Sequence, residues 1–249
     1  MVENEWFKIQ EWQPCLSVDC VIISYHKKKI KVLLNKVNSL NKYSLPGGLV
    51  YRDEDVDDAA RRILLARTGL ENIELRQFYC FGKASRTSKE ENLAILQAKE
   101  DVDDEFIAFF TQRFVSIGYF ALVKYDDVII EERENDIFNW HDIDQLPELY
   151  TDHKEIISKA MQTIRMKIDH MPIACRLLSE KFIFPDLQTL YEGILGHHLD
   201  KRNFLKKMVT SGLIIRLDER KEVNTYPHPY YYIFNEEKIK EMMLSAESV

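Results

Sequence analysis

Apolar and polar positions along the chain divide it into a strand-rich first part and a helix-rich last part. Two β-branched runs, residues 17–24 and 29–36, flank the tetrapeptide Tyr25-His26-Lys27-Lys28 and predict a β-hairpin. A polar loop at 38–42 leads to a short strand-like run and a Leu45-Pro46-Gly47-Gly48 turn. Val56, Ala59, Ala60, Ile63 and Leu64 then recur at helical spacing, and Gly69 stands where a glycine ends a helix. Strands are predicted at 74–81, 113–124 and 138–140. A longer helix runs from Asp152-His153 to about Ile168, with Ile156, Ile157, Ala160, Met161 and Ile164 on its buried face and Asp152 as its capping acid. His170-Met171-Pro172 breaks that periodicity and divides the chain into residues 1–169 and 170–249.

Beyond the boundary, three short helical segments are predicted at 173–178, 186–195 and 200–211. Asp186 and Asp200 cap the second and third, and Gly196 and Gly212 end them. Strands at 213–217 and 230–234 follow, joined by a charged, proline-containing loop. Three helices and then two strands is the order of a winged helix-turn-helix, so the fold class is α+β: a mixed β-sheet with helices, then a winged helix domain.

Composition narrows the class. The 249 residues are 45% hydrophobic and 30% charged, as in a soluble globular protein. The net charge of −7 excludes a generally basic nucleic-acid coat and leaves room for a local basic patch. Cys15, Cys20, Cys80 and Cys175 show no metal-ligand spacing and fit buried thiols of a cytoplasmic protein. The acidic, aromatic start MVENEWFKIQEW is not a signal peptide, and no apolar run spans a membrane. Its Trp6, Phe7 and Trp12 suit an arm packed on a neighbour or a dimer mate.

Two stretches depart from the mean charge. Residues 87–110 hold seven acids against two lysines, with Leu93, Ile95 and Leu96 at helical spacing and then Phe106, Phe109 and Phe110. They read as an inserted helical excursion over a ligand cleft or onto a partner. Residues 196–221 reverse the sign, with seven bases against three acids. Lys201, Arg202, Asn203, Lys206 and Lys207 load the polar side of the third helix, and Arg220 and Lys221 sit where a wing would reach phosphates. Arg, Lys and Asn are the types that donate to base edges and phosphates. A basic helix alone is more often a solvated face; helix order, wing and charge reversal together favour double-stranded DNA.

The stretch GGLVYRDEDVDDAARRILLARTGL at 47–70 resembles the Nudix box, with Glu54, Arg62, Leu64, Gly69 and Leu70 in register from Gly48. Where that box has its magnesium-binding glutamates, this chain has Ile63, Ala66 and Arg67. A hard cation takes oxygen ligands, so the resemblance implies a Nudix scaffold without a catalytic centre, metal or cofactor. Asp55, Asp57 and Asp58 are read as acids complementing a helix start.

The run FPDLQTLYEGILGHHLDKRNFLKKMVTSGLI at 184–214, with Trp140, Leu146-Pro147 and Asp152-His153, is similar to the Nudix-related transcriptional regulators. The similarity includes the arabinose-responsive type found in Bacteroides. It implies a homodimeric repressor of carbohydrate or NAD-related genes that senses ADP-ribose, a pentose or a sugar phosphate. Loss of the glutamates tilts this expectation towards a free sugar or sugar phosphate. Lys83, Arg86 and Arg113, at strand ends bordering the cleft, are the candidate ligand contacts. The alternatives are a Nudix hydrolase working through Glu54 and other carboxylates, and a docking module working through the acidic insertion and the N-terminal aromatics.

Overall fold

A computed structural model describes residues 15–71, 73–98, 102–128, 137–168, 173–222 and 228–247. The aromatic arm with Trp6, Phe7 and Trp12, and the boundary at His170-Met171-Pro172, lie outside the described residues.

Strands β1 (Cys15–His26) and β2 (Lys29–Val37) form the hairpin expected from the β-branched runs. Its two-residue turn holds Lys27 at φ 49° and Lys28 at φ 63°, the left-handed pair that such turns require and that asparagine and glycine adopt more easily. Strands β3 (Lys42–Ser44), β4 (Gly47–Leu49), β5 (Arg76–Phe81), β6 (Phe114–Leu122) and β7 (Phe138–Asp142) complete a seven-stranded mixed sheet. Its main order is β3-β2-β1-β6-β5, with β4 paired to β1 and β7 to β2. β1 and β6 run parallel from Cys15 opposite Phe114 to Ile23 opposite Leu122.

Alternation along β1 sends successive residues to opposite faces. Val18, Cys20 and Ile22 pack with Ala59, Ala60, Ile63 and Leu64 of helix α1 (Val56–Thr68). Val21 and Ile23 pack with Ile156, Ile157, Ala160 and Ile164 of helix α4 (His153–Lys167). Between β5 and β6 the acidic insertion forms helices α2 (Lys89–Gln97) and α3 (Asp104–Phe110). Asn92 is buried and donates to Phe110 O at 2.6 Å, which ties α2 to α3, and Lys42 of β3 donates to Glu91 of α2 at 2.8 Å, which pins the excursion to the sheet. Cys15 and Cys20 are buried, whereas Cys80 is exposed because its side chain points outward from β5 at the sheet edge.

Helix α5 (Ile173–Leu177), strand β8 (Lys181–Ile183), helices α6 (Phe184–Leu195) and α7 (Lys201–Thr210), and strands β9 (Ile214–Arg220) and β10 (Tyr230–Phe234) make the winged helix. Its sheet has the order β8-β10-β9, one strand more than the sequence pattern showed, and helix α8 (Glu236–Glu247) follows. Asp186 is a correction to the expected caps: α6 begins at Phe184, with Ile183 in the cap position and Pro185 in the first turn. Proline suits that place because the first helical N–H groups have no intrahelical partner. Asp186 therefore lies within the first turn.

The two parts share one core. Leu187, Leu190 and Ile194 of α6 belong to the same buried cluster as Val21, Ile30 and Ile164. Tyr25 Oη donates to Asp186 O at 3.4 Å near the start of α6, and Arg165 Nε of α4 donates to Ile194 O at 2.5 Å near its end. Between them Gly193 lies against Ile30, where a Cβ would come within 3.2 Å of Ile30 Cγ1. Along its length, α6 is seated on the first domain.

Candidate functional site

Three groups of residues concentrate the chemistry. The first is the loop before α1. Glu54 accepts from Arg62 Nε at 2.6 Å and Arg62 Nη2 at 2.7 Å, a two-pronged pair that lowers the Glu54 carboxyl below its usual range. Arg62 Nη2 also donates to Leu49 O at 2.9 Å, and its guanidinium lies 4.0 Å from the centre of the exposed Tyr51 ring. The pair thus ties the loop to the helix. Ile63 is 3% exposed and sits 3.1 Å from where a Cβ on Gly48 would be, so an apolar side chain fills the space beneath the loop. Ala66 and Arg67 are on the exposed side of α1. Among the described residues no group of three or more His, Cys, Asp or Glu side chains is placed to hold a metal ion.

The second group lies at the start of α4. Arg86 is buried and donates from Nε and Nη2 to Asp152 at 2.9 and 3.1 Å, from Nη1 to Phe114 O at 3.3 Å, and from Nη2 to Asp19 at 3.4 Å. Ser116 Oγ donates to Asp19 at 2.6 Å. His153 Nδ1 accepts from Leu45 N at 2.8 Å, so the ring is neutral with its proton on Nε2, which points towards Asp19 Oδ1 at 3.6 Å. Burial holds the His153 pKa below its ordinary value. The network joins β1, β6, the strand after Leu45 and α4 at the end of the sheet that carries the Nudix-like loop, since Asp19 pairs with Gly47. Asp152 is therefore no capping acid: its carboxylate is taken by Arg86 and makes no hydrogen bond to the helix N-terminus.

The candidate ligand contacts Lys83, Arg86 and Arg113 come together around this network. Lys83 is exposed and pairs with Glu155 at 2.7 Å. Arg113, also exposed, donates to Gly82 O at 2.5 Å. Arg86 lies beneath them with its donors engaged.

The third group is the winged helix. Asp200 accepts from Asn203 N at 2.8 Å and caps α7. Glu192 accepts from Leu199 N at 2.9 Å and Gln188 donates to Leu199 O at 3.0 Å, which fixes the turn between α6 and α7. Phe204 and Met208, one helical turn apart, are buried. That leaves Lys201, Arg202, Asn203, Lys206 and Lys207 on the exposed side. Arg220 belongs to β9 rather than to the loop, because β9 ends three residues beyond the expected strand at 213–217, and Lys221 follows it. The Arg220 and Arg216 guanidiniums lie 4.1 and 4.7 Å from the centre of the Tyr230 ring. Arg220 also hydrogen-bonds Tyr230 Oη. The charge reversal counts Arg216, but only the pairing of β9 with β10 brings it to the Tyr230 ring.

Comparison with known proteins agrees with both halves of this architecture. The family model described as the NUDIX domain matches residues 14–160, and the one described as the NrtR DNA-binding winged helix domain matches residues 174–234. The chain is 26% identical over 225 residues to the ADPR responsive transcriptional repressor NtrR of Acinetobacter baylyi, with 88% of this chain and 81% of the relative covered. In fold it is similar to Shewanella oneidensis NrtR complexed with a 27mer DNA, with a TM-score of 0.65, 23% identity, and coverage of 90% of this chain and 95% of that one. It is likewise similar to a MutT/nudix family protein from Enterococcus faecalis, with a TM-score of 0.61, 23% identity, and coverage of 92% and 91%. The chain belongs to the Nudix domain family and carries, after that domain, a winged helix domain of the NrtR DNA-binding type.

Proposed function

We propose that this protein is a transcriptional repressor whose winged helix binds operator DNA and whose Nudix domain senses ADP-ribose without hydrolysing it. The observation that carries the reading is the capped helix α7, with Lys201, Arg202, Asn203, Lys206 and Lys207 exposed and Phe204 and Met208 buried. Arg202 and Asn203, near the helix start, are the candidates for base edges, and Lys206, Lys207, Arg220 and Lys221 for phosphates. One helix per half-site implies a homodimer on a two-fold operator, in the cytoplasm.

The relative named as ADPR responsive moves the effector from a pentose to ADP-ribose, and the regulated genes from carbohydrate to NAD-related ones. Lys83 and Arg113 stand at the exposed rim of the candidate site, where a diphosphate would meet them, and Arg86 holds the wall behind. Ile63, packed under the loop, takes the place of a metal-binding carboxylate.

The second reading, a Nudix hydrolase, is favoured by the intact Glu54–Arg62 pair. Calorimetry against ADP-ribose and arabinose, with product analysis in Mg²⁺ and Mn²⁺, separates the two. Binding of ADP-ribose without turnover is expected. Metal-dependent release of AMP would replace the sensor with an enzyme.

A further inference from the structure

Where β6 runs out, the two domains enclose a cleft of about 300 Å³. Phe120 and Leu122 of β6 form its floor, Ile173 and Arg176 of α5 one wall, and Met243 of α8 closes over it. That volume is at the lower end of small-molecule sites, which run from about 300 to 1,000 Å³. Strand register separates the cleft from the Nudix loop. Gly48 is opposite Val18, and Val18 is opposite Ile117. Leu122 lies five residues further along β6, which at about 3.3 Å per residue is roughly 17 Å.

The polar side of the cleft carries three cations, Arg76, Lys124 and Arg176, and two acids, Glu74 and Asp127. Glu74 is shared by both guanidiniums, at 2.5 Å to Arg76 and 2.6 Å to Arg176. Glu74 is thus shared by two cations, and among the described residues no hydrogen bond or ion pair holds the Lys124 ammonium. Beside these charges stand Ile73 and Leu122, both partly exposed and backed by the buried Phe120 and Ile173, which offer an apolar body dry contact. Three cations against two acids among the described lining residues, with an apolar surface beside them, define the kind of molecule that fits.

We propose that this interdomain cleft is a second ligand site, for a compact organic anion: an apolar or planar body bearing one phosphate or carboxylate held by Lys124 and Arg176. Because α5 leads into β8 and α8 follows β10, such a ligand touches the Nudix sheet and the winged helix at once. It fixes one against the other and so changes operator affinity. Only this consequence rests on the regulatory reading; the binding itself does not.

The test is calorimetry on the full chain without DNA, using phenyl phosphate and benzoate as separate probes at millimolar concentration. One-to-one binding of at least one probe is expected, and which of the two binds decides between phosphate and carboxylate. Lys124→Ala should weaken that binding about tenfold, the worth of one charge-assisted hydrogen bond. Lys124→Arg should restore it, and saturating ADP-ribose should leave it in place. Absence of binding by both probes, equal binding by Lys124→Ala, or displacement by ADP-ribose would each overturn the second site. Failure of operator binding in a separate titration would overturn the regulatory reading and leave the cleft standing.

Discussion

Arg86 offers the sharpest separation between a structural and a ligand-contacting role. Its side chain is 6% exposed, and its partners Asp19 and Asp152 are 9% and 12% exposed. Replacement by methionine keeps most of the volume and removes the cation, leaving two nearly buried carboxylates without their counter-charge. Breaking a buried pair in this way costs about 3–5 kcal/mol. Ser116 continues to donate to Asp19, which places the expected loss in the lower half of that range. At roughly 2–4 °C per kcal/mol for a chain of this size, the melting temperature should fall by about 6–16 °C. Urea denaturation of Arg86→Met, Asp152→Asn and the double variant gives the coupling directly, and the double variant should recover part of the loss. A stability loss below about 1 kcal/mol, with ADP-ribose affinity sharply reduced, would show that Arg86 contacts ligand and that the ion network contributes little.

The remaining predictions address the other two groups of residues and the shared core. Arg202→Ala should weaken operator binding by about 1–3 kcal/mol and relax sequence preference at one base pair, with unchanged melting; equal loss on every sequence would assign it to a phosphate. Asp200→Ala should cost about 1 kcal/mol in denaturant titrations by removing the α7 cap, and no change would mean the cap is replaced by solvent. Leu187→Ala, at a fully buried position in the shared cluster, should cost about 2–5 kcal/mol and shift a single unfolding transition of the whole chain; separate transitions for the two domains would refute the continuous core. His153 has a folded pKa depressed below 6.5, so the unfolded chain binds its proton first. Stability should therefore rise with pH between the depressed value and 6.5, by at most about 1.4 kcal/mol per pH unit from this residue. A His153→Gln variant should lose that slope, and an unchanged slope would place it elsewhere.

Much of the fold is legible in the sequence because its elements are locally consistent. The β-branched runs of β1 and β2, the helical spacing of α1 and α4, and the Asp200 cap of α7 each declare themselves within a dozen residues. Strands β4 and β8 do not, since three residues carry no periodicity and are strands only through their partners. Helix α8 was missed because its start, Glu236 and Glu237, reads as a charged end of the chain. The basic face of α7 could be seen from residue type and spacing. The buried network could not, because Asp19, Arg86, Ser116 and Asp152 come from four separate stretches and meet only when β1 lies parallel to β6. For the same reason the sequence places Arg86 with Lys83 and Arg113 at the rim of the cleft and does not show that it is buried. The docking of α6 on the hairpin and on α4 likewise depends on Tyr25, Ile30 and Arg165, each unremarkable where it stands in the chain.

That docking makes the central claim testable in one titration. With α6 seated on the Nudix domain from Asp186 to Ile194, a ligand there can alter the placement of α7 without a flexible joint. Fluorescence anisotropy of the protein on labelled DNA from its own upstream region, with and without ADP-ribose and with arabinose as a control, measures this directly. The account predicts tight, steeply salt-dependent binding that ADP-ribose releases and arabinose does not. Binding no stronger than to unrelated DNA, or operator binding indifferent to ADP-ribose, would contradict it.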